Sequence, residues 1–389
     1  MPRIGVFHVS AGTGHSSAAR AIGAALALHP GVEPLVEDVF DYVNAPARKL
    51  ITAAYNELST HLQPLYAMVH SRINIADPGD ALKANAAMKR VGQPFLRRFE
   101  HHVATLRPDA IICTMQWPLH VLQDYAAAHG VPEYAVITDF SVQSSWLREG
   151  VDGYFVASEL TRDVLLARGV APERIHVTGI PVRLEIAEPK EPAAMRARHG
   201  LPLDRPLITV FGGGVATERV RHMVAELLLG DTPATVVVVA GRNHELGEAL
   251  ADLASGPRVE LRLLTFIDYV DDLVAASDLV ITKPGGLITS EVLARGTPLI
   301  VIDPVPGQEE WNADVVAGSG AGLQIRVPEL VPWAVRLLLA QPERLATMRA
   351  QASQIGRPRA AHTIAARVVA ELAAGSALPP EGAGGATSG

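Results

Sequence analysis

The sequence predicts an α/β chain built as two Rossmann-like domains facing each other, and three observations carry that prediction. Short apolar runs of strand character alternate with stretches of helical periodicity along the whole length. Each half opens in the same way, with an apolar strand, a glycine-rich turn and a helix. Between the halves lies a charged, proline-bearing stretch with little apolar periodicity, the signature of a domain connection.

In chain order, the strand-like runs of the first half are Ile4 to Val9, Ala110 to Cys113, Ala135 to Thr138 and Gly153 to Ala157. Those of the second are Leu207 to Phe211, Thr235 to Ala240, Leu279 to Thr282 and Leu299 to Ile302. Helical spacing separates them, as in Ser16 to Leu28, Arg219 to Leu229 and Thr289 to Arg295, and strand alternating with helix implies parallel sheets. The expected organisation is a first domain over residues 1–182, a linker over 183–206, a second domain over 207–372 and a disordered Gly/Ala/Ser/Pro-rich tail over 373–389.

Composition narrows the function classes. At roughly 150 residues per domain, 389 residues suit two or three domains, and 48% hydrophobic residues are ample for their cores. Lys+Arg 34 against Asp+Glu 41 leaves a net charge of −7, which argues against nucleic acid as a partner. The single Cys113 excludes an internal disulfide and a multi-cysteine zinc site and fits a reducing compartment. The N-terminus lacks the order of a signal peptide, and no apolar run reaches the ~18 residues that span a bilayer. Gly-x-Ser-x-Gly, His-Glu-x-x-His and Walker motifs are absent.

Two strand-to-helix glycine turns can present backbone N–H groups to an anion beside a helix N-terminus. Gly12-Thr-Gly14, followed by His15, matches the dinucleotide fingerprint incompletely and reads equally as a tight packing turn. Lys283-Pro-Gly285-Gly286-Leu-Ile-Thr289-Ser290-Glu291 is richer. Its glycines allow close approach to a ligand, its hydroxyls and amides suit a diphosphate, and its carboxylate one turn on can accept bonds from both ribose hydroxyls.

At these residues a resemblance becomes specific. The run from Thr265-Phe266-Ile267-Asp through Lys283-Pro-Gly-Gly to Gly307-Gln308-Glu309-Glu-Trp-Asn312 resembles the donor half of family 28 glycosyltransferases. The first half resembles the diacylglycerol glycosyltransferases of the monogalactosyldiacylglycerol synthase type. It does so through Ser10-Ala-Gly-Thr-Gly-His-Ser-Ser-Ala-Ala19, Pro64-Leu-Tyr66, Arg107-Pro-Asp-Ala-Ile-Ile-Cys-Thr114, Val136-Ile-Thr-Asp-Phe140 and Val177-Thr-Gly-Ile-Pro-Val-Arg183. The likeness covers about residues 3 to 345.

That resemblance implies the GT-B fold, with the UDP-sugar on the second domain and the acceptor on the first. Phe266 and Ile267 would border the uracil and Glu291 would hold the ribose. Gly213, Gly214, Thr289 and Ser290 would face the diphosphate, with Arg183 reaching in to neutralise it, and Gln308 and Glu309 would bond the sugar. His15 would be the base that deprotonates the acceptor, with Asp139 the alternative base or its partner. Departing UDP leaves negative charge that something must stabilise. No Asp-x-Asp occurs to bridge it through a metal, so transfer without metal or other cofactor is expected.

On the acceptor side, with Gly14, Tyr66 and Trp117, the chain departs from its relatives. Gln143 stands where a histidine is common, and Thr114-Met-Gln-Trp117 replaces Thr-His-Pro. Residues 62–99 carry six basic side chains (Arg72, Lys83, Lys89, Arg90, Arg97, Arg98) against two acidic ones (Asp77, Asp80), a local +4. Interleaved with Leu62, Leu65, Tyr66, Met68, Val69, Val91, Phe95, Leu96 and Phe99, they form a candidate contact with an anionic membrane. The expectation is an inverting hexosyltransferase acting on a lipid hydroxyl such as that of diacylglycerol, cytoplasmic and peripheral to the inner face of the cell membrane. Competing readings are another lipid-linked or specialised acceptor, a UDP-sugar 2-epimerase, an NAD-dependent oxidoreductase with Glu37 or Asp38 on the ribose, and a nucleotide-sugar sensor.

Overall fold

In the computed structural model, which describes residues 1–10, 13–46, 48–49, 53, 68, 74–75 and 77–376, the chain forms two six-stranded sheets in which every strand pairing is parallel. The first holds β1 (Arg3–His8), β2 (Glu33–Asp38), β3 (Ala110–Cys113), β4 (Glu133–Val136), β5 (Gly153–Val156) and β6 (Ile175–Val177), in the order β2-β1-β3-β4-β5-β6. The second holds β7 (Leu207–Phe211), β8 (Ala234–Val239), β9 (Val259–Leu264), β10 (Leu279–Thr282), β11 (Leu299–Ile302) and β12 (Gly322–Ile325), in the order β12-β11-β10-β7-β8-β9. Strand order reverses between β1 and β3 and again between β7 and β10. In open parallel sheets such a reversal leaves a crevice at the carboxyl ends of the strands, where ligands bind.

The helices of the first domain are α1 (Thr13–Ala27), α2 (Pro78–Leu106), α3 (Gln116–Val121), α4 (Gln123–His129) and α5 (Glu159–Ala167). After them come α6 (Pro192–Arg198), α7 (Thr217–Leu228), α8 (His244–Leu250), α9 (Val270–Ala276), α10 (Gly286–Ala294), α11 (Gln308–Gly318), α12 (Val331–Leu339), α13 (Pro342–Ile355) and α14 (Ala360–Ser376). Central strands such as β3, β8 and β11 are buried throughout because helices cover both faces, which explains their unbroken apolar runs. Amphipathic helices turn one stripe inward, as α7 does with Val220, Met223, Val224 and Leu227. The long α2 is capped by the Asp77 side chain, which accepts from the Asp80 amide, and it stops at the left-handed Arg107 just before Pro108.

The expected boundaries change in three places. Residues 183–206 do not form a loose linker: Ile186, Met195 and Leu201 are buried and α6 packs on the second domain. The segment is also tied to distant residues by polar contacts. Lys190 pairs with Asp271 at 2.5 Å, and Arg295 donates to the carbonyls of Glu185 and Glu188 at 2.9 and 2.6 Å. The second change concerns α14, which by sequence falls in 207–372 yet crosses back to the first domain. Its Ala361, Ile364, Ala365 and Val368 join Ile4, Val6, Ile22 and Leu26 in one core. Gly179 lets the chain cross there: its φ is +88°, and a Cβ at that position would collide with the Arg357 side chain. Third, residues 373–376 of the expected tail are helical, and the remainder of that tail lies outside the described residues.

The domains meet through a dry junction. Phe140, Ala157 and Ile180 of the first pack with Val274, Val280, Val292 and Leu293 of the second. At its edge the first residue of α10, Gly286, lies against the Thr138 carbonyl oxygen, where any Cβ would collide. Truncating the crossing helix tests the first-domain core it completes. Ile364→Ala should cost about 2–4 kcal/mol of unfolding free energy in a urea titration of the whole chain. A loss below about 0.5 kcal/mol, typical of surface sites, would remove α14 from that core.

Candidate active site

The two strand-order reversals face each other across the junction, and the space between them is a cavity of about 650 Å³. From the first domain Gly14, His15, Met115, Gln116, Thr138, Asp139 and Gln143 line it. Gly213, Arg242, Asn243, Phe266, Ile267, Gly285, Gly286, Glu291, Gln308 and Glu309 do so from the second.

His15 is the best-defined group. It sits in the first turn of α1, directly above the ends of β1 and β3. Its Nδ1 lies 2.7 Å from the Thr114 carbonyl oxygen and 3.0 Å from Thr138 Oγ1, while the Thr114 hydroxyl donates to the His15 carbonyl at 3.0 Å. A carbonyl only accepts, so Nδ1 carries the proton and Nε2 keeps its lone pair. Burial lowers the His15 pKa, against a smaller upward pull from the Asp139 carboxylate. The imidazole is thus neutral at pH 7 and able to take a proton. Asp139 is held by Asn312, whose Nδ2 donates to its Oδ1 at 3.0 Å.

On the donor side, Phe266 is 59% exposed, and an aromatic ring left open at the mouth of a cavity is a surface for a planar ligand. The Arg242 guanidinium carbon stands 4.8 Å from its centroid. Ile267 lies beside it on the cavity wall. Glu291, one turn into α10, is buried so deeply that its pKa rises to about 7, tempered by Arg183 at 4.0 Å. Gln308 accepts from Gln143 Nε2 at 3.1 Å across the cleft. Glu309 accepts from the Val305 amide at 2.7 Å and lies 3.6 Å from Lys283, and burial raises its pKa.

Several expected roles change. α10 begins at Gly286, three residues before the hydroxyls that were taken to open it. Thr289 is therefore fully buried with Oγ1 unpartnered, and Ser290 Oγ donates back to the Gly286 carbonyl at 2.8 Å. Neither hydroxyl lines the cavity; Gly285 and Gly286 at the start of α10 do, and the first amides of that helix have no intrahelical acceptor. Gly286 is required by contact with the first domain, where a Cβ would meet the Thr138 carbonyl oxygen. Arg183 does not reach the glycine turns: it pairs with Glu185 at 3.2 Å and donates to the Asp268 carbonyl at 3.4 Å, on the Glu291 side of the cavity. The cation between the turns is Lys283, which donates to the Gly214 carbonyl at 3.2 Å. Gly214 thus turns its carbonyl to Lys283 and, unlike Gly213, does not line the cavity.

Trp117 also lies elsewhere, in a separate apolar groove of about 450 Å³ with Met88, Phe95, Leu96 and Val121. Of the candidate membrane segment, Leu96 and Phe99 belong to the core and Lys89 pairs with Asp124 at 2.6 Å. Lys83, Arg90, Arg97, Arg98, Met68 and Phe95 are exposed. Gly12, Tyr66, Leu62, Leu65, Val69, Arg72 and the Val91 side chain lie outside the described residues. The dinucleotide alternative loses its ribose ligands: Glu37 accepts from the Tyr42 hydroxyl at 2.8 Å, and Asp38 caps the Phe40 amide at 2.9 Å.

Sequence reasoning missed Lys283, although a lysine ending a strand before Pro-Gly-Gly was a usable signal. It also gave no role to Arg242, nor to Thr114, Thr138 and Asn312, which stand within the quoted motifs but whose partners only the fold supplies.

A family model described as monogalactosyldiacylglycerol (MGDG) synthase matches residues 15–182, and the glycosyltransferase family 28 C-terminal domain model matches residues 207–364. A processive diacylglycerol beta-glucosyltransferase of Bacillus pumilus is 30% identical over 275 residues, 70% of this chain and 71% of that one. Its Bacillus subtilis counterpart is 32% identical over 245 residues, 62% of this chain and 64% of that one. Among solved structures, MurG of Acinetobacter baumannii matches with a TM-score of 0.62 at 16% identity, covering 95% of this chain and 100% of that chain. The UDP-GlcNAc 2-epimerase of Neisseria meningitidis bound to UDP-GlcNAc matches with 0.61 at 14%, covering 96% and 100%. At such identities these structures establish the GT-B architecture only.

Glu291 yields a test of the site's electrostatics. Its pKa is raised from 4.5 to about 7, so below pH 4.5 it is protonated folded or unfolded and has no effect on stability. Between pH 4.5 and about 7 the unfolded chain has released this proton while the folded chain still holds it, so stability falls through that window and levels off above it. Unliganded Glu291→Gln should match the wild type at pH 4 and exceed it by about 3 kcal/mol at pH 8 in urea unfolding. Equal stability at pH 8 would contradict the buried-carboxyl reading.

Proposed function

This chain belongs to the glycosyltransferases of family 28, with the processive diacylglycerol beta-glucosyltransferases among its relatives, and we propose that it transfers a hexose from a UDP-sugar to a hydroxyl of diacylglycerol with inversion. The observation that carries this reading is the placement of His15 Nε2, with its lone pair available, in the same cavity as the donor-side turn of Lys283 to Gly286.

The acceptor hydroxyl oxygen attacks the anomeric carbon on the face opposite the diphosphate. Its proton passes to His15 Nε2, and the bond from the anomeric carbon to the diphosphate oxygen breaks with its electron pair on UDP. That charge meets the first amides of α10 and Lys283, groups already aimed at the position where it develops. Phe266, Ile267 and Arg242 take the uracil, Glu291 with Arg183 the ribose, and Gln308 and Glu309 the sugar. Because the diphosphate has these partners, transfer proceeds without a bound metal. The glucose in the names of the relatives makes UDP-glucose the first donor to try.

Access to the lipid is proposed to run along α2. Among the described residues no helix is long and apolar enough to cross a membrane, but exposed Lys83, Arg90, Arg97 and Arg98 accompany exposed Phe95 and Met88 on that helix. Such a surface can lie on anionic lipid, each basic residue contributing about 1 kcal/mol. The proposed place of work is the inner face of the cell membrane.

The test is radiolabel from UDP-glucose, UDP-galactose, UDP-glucuronic acid and UDP-N-acetylglucosamine, incubated with diacylglycerol vesicles with and without anionic lipid and with EDTA present. Label should enter the organic phase, faster on the anionic vesicles. Label left entirely in water as free or epimerised sugar would overturn the reading. The base is tested separately: His15→Ala should lower kcat by at least about 100-fold with UDP affinity unchanged. Because burial depresses the His15 pKa and the neutral form is the active one, wild-type kcat should hold down to below pH 6.5 before falling. An acid limb above 6.5 would point to another base.

A further inference from the structure

Asn312 is a polar residue with no exposure at all, seated in α11 of the second domain. Its Oδ1 accepts from the Phe140 amide at 2.8 Å, and its Nδ2 donates to Asp139 Oδ1 at 3.0 Å and to the Pro284 carbonyl at 2.9 Å. One amide group thus spends an acceptor and both donors, two of the three bonds crossing between domains, which makes a buried side chain of this kind fully satisfied. A residue needed only as filler at a dry junction would be apolar, as its neighbours Ala313 and Val316 are.

We propose that Asn312 is a positioning residue of the transfer reaction, setting the Asp139 carboxylate of the first domain from the donor domain, in the cavity that Asp139 shares with His15. Three placements support this. Asp139 carries the charge that acts on His15. Asn312 lies one helical turn along α11 from Gln308 and Glu309, which line the cavity, so one helix carries both these donor-side groups and the side chain that holds Asp139. Pro284, held by the same nitrogen, ties Asn312 to the donor-side turn next to Gly285. Donor occupancy and the setting of the acceptor-side carboxylate thereby share one side chain. An amide suits this better than a carboxylate, since only an amide can accept from Phe140 and donate to Asp139 together.

The inference rests on the reading of His15 and Asp139 as the acceptor-activating pair, and a double-mutant cycle separates the two. Asn312→Ala should lower kcat on the order of 30-fold with KM for the UDP-sugar within about threefold, since the bond it removes serves the reaction more than donor binding. Asp139→Ala should lower kcat at least as much. The double variant should be no slower than Asp139→Ala to within about threefold, because both changes remove one function. UDP binding by each variant verifies its fold. Should Asn312→Ala fail to fold, Asn312→Asp, which keeps the volume and the acceptor toward Phe140, enters the same cycle. Losses that multiply in the double variant, or an effect confined to KM, would overturn the role of Asn312 while leaving the pair intact. An unchanged kcat in Asp139→Ala would remove Asp139 from the reading of the site and this inference with it.

Discussion

Where the start of α10 meets the end of the β4 segment, the backbones of the two domains touch with no side chain between them, and every group in the cleft is placed relative to that contact. Gly286 makes the approach sterically possible, and Asn312 anchors it by bonding backbone on both sides. A side chain on Gly286 would push the domains apart at the point where the donor-side turn faces His15. In a reaction that depends on an oxygen, a carbon and a proton acceptor lying in near-attack geometry, a displacement of about 1 Å is costly. The interdomain core around Phe140 and Val292 supplies the apolar burial that holds this geometry.

The electrostatics of the cleft follow from that closeness. Bringing two domains together buries the groups between them, and burial disfavours charge. His15 is kept neutral, while Glu291 and Glu309 are driven toward their protonated forms. The unliganded site therefore carries less negative charge than its formula suggests, which suits a ligand that brings a diphosphate. Burying Glu291 costs stability, and the cost falls where the site has a use for a carboxyl, the common pattern at functional positions.

Much of this was legible in advance, and the reasons are specific. Parallel strands covered on both faces must be continuous apolar runs, so β3, β8, β10 and β11 were visible as such, and the glycine turns marked the two points where strand order reverses. His15, Glu291, Phe266, Ile267, Gln308 and Glu309 all line the one cavity, and the motifs that singled them out are local. The misplacements share another cause. Thr289 and Ser290 were put at a helix start that lies three residues earlier, because a glycine N-cap leaves no side-chain signal. Arg183 and Trp117 were placed by their positions in the family-like motifs and Leu96 by the composition of its segment, whereas their surroundings depend on residues tens of positions away.

By itself the sequence determined the α/β class, the doubled Rossmann-like plan and the residues able to do chemistry, because strand burial, turn geometry and motif spacing are local properties that a linear pattern records. Only the tertiary structure decided which cation stands between the glycine turns, that the last helix completes the first domain, and that Asn312 joins the donor helix to Asp139. Those outcomes depend on how two separately patterned sheets are pressed together. Burial and hydrogen-bond satisfaction at such a junction belong to pairs of distant residues, and no periodicity within either half encodes them.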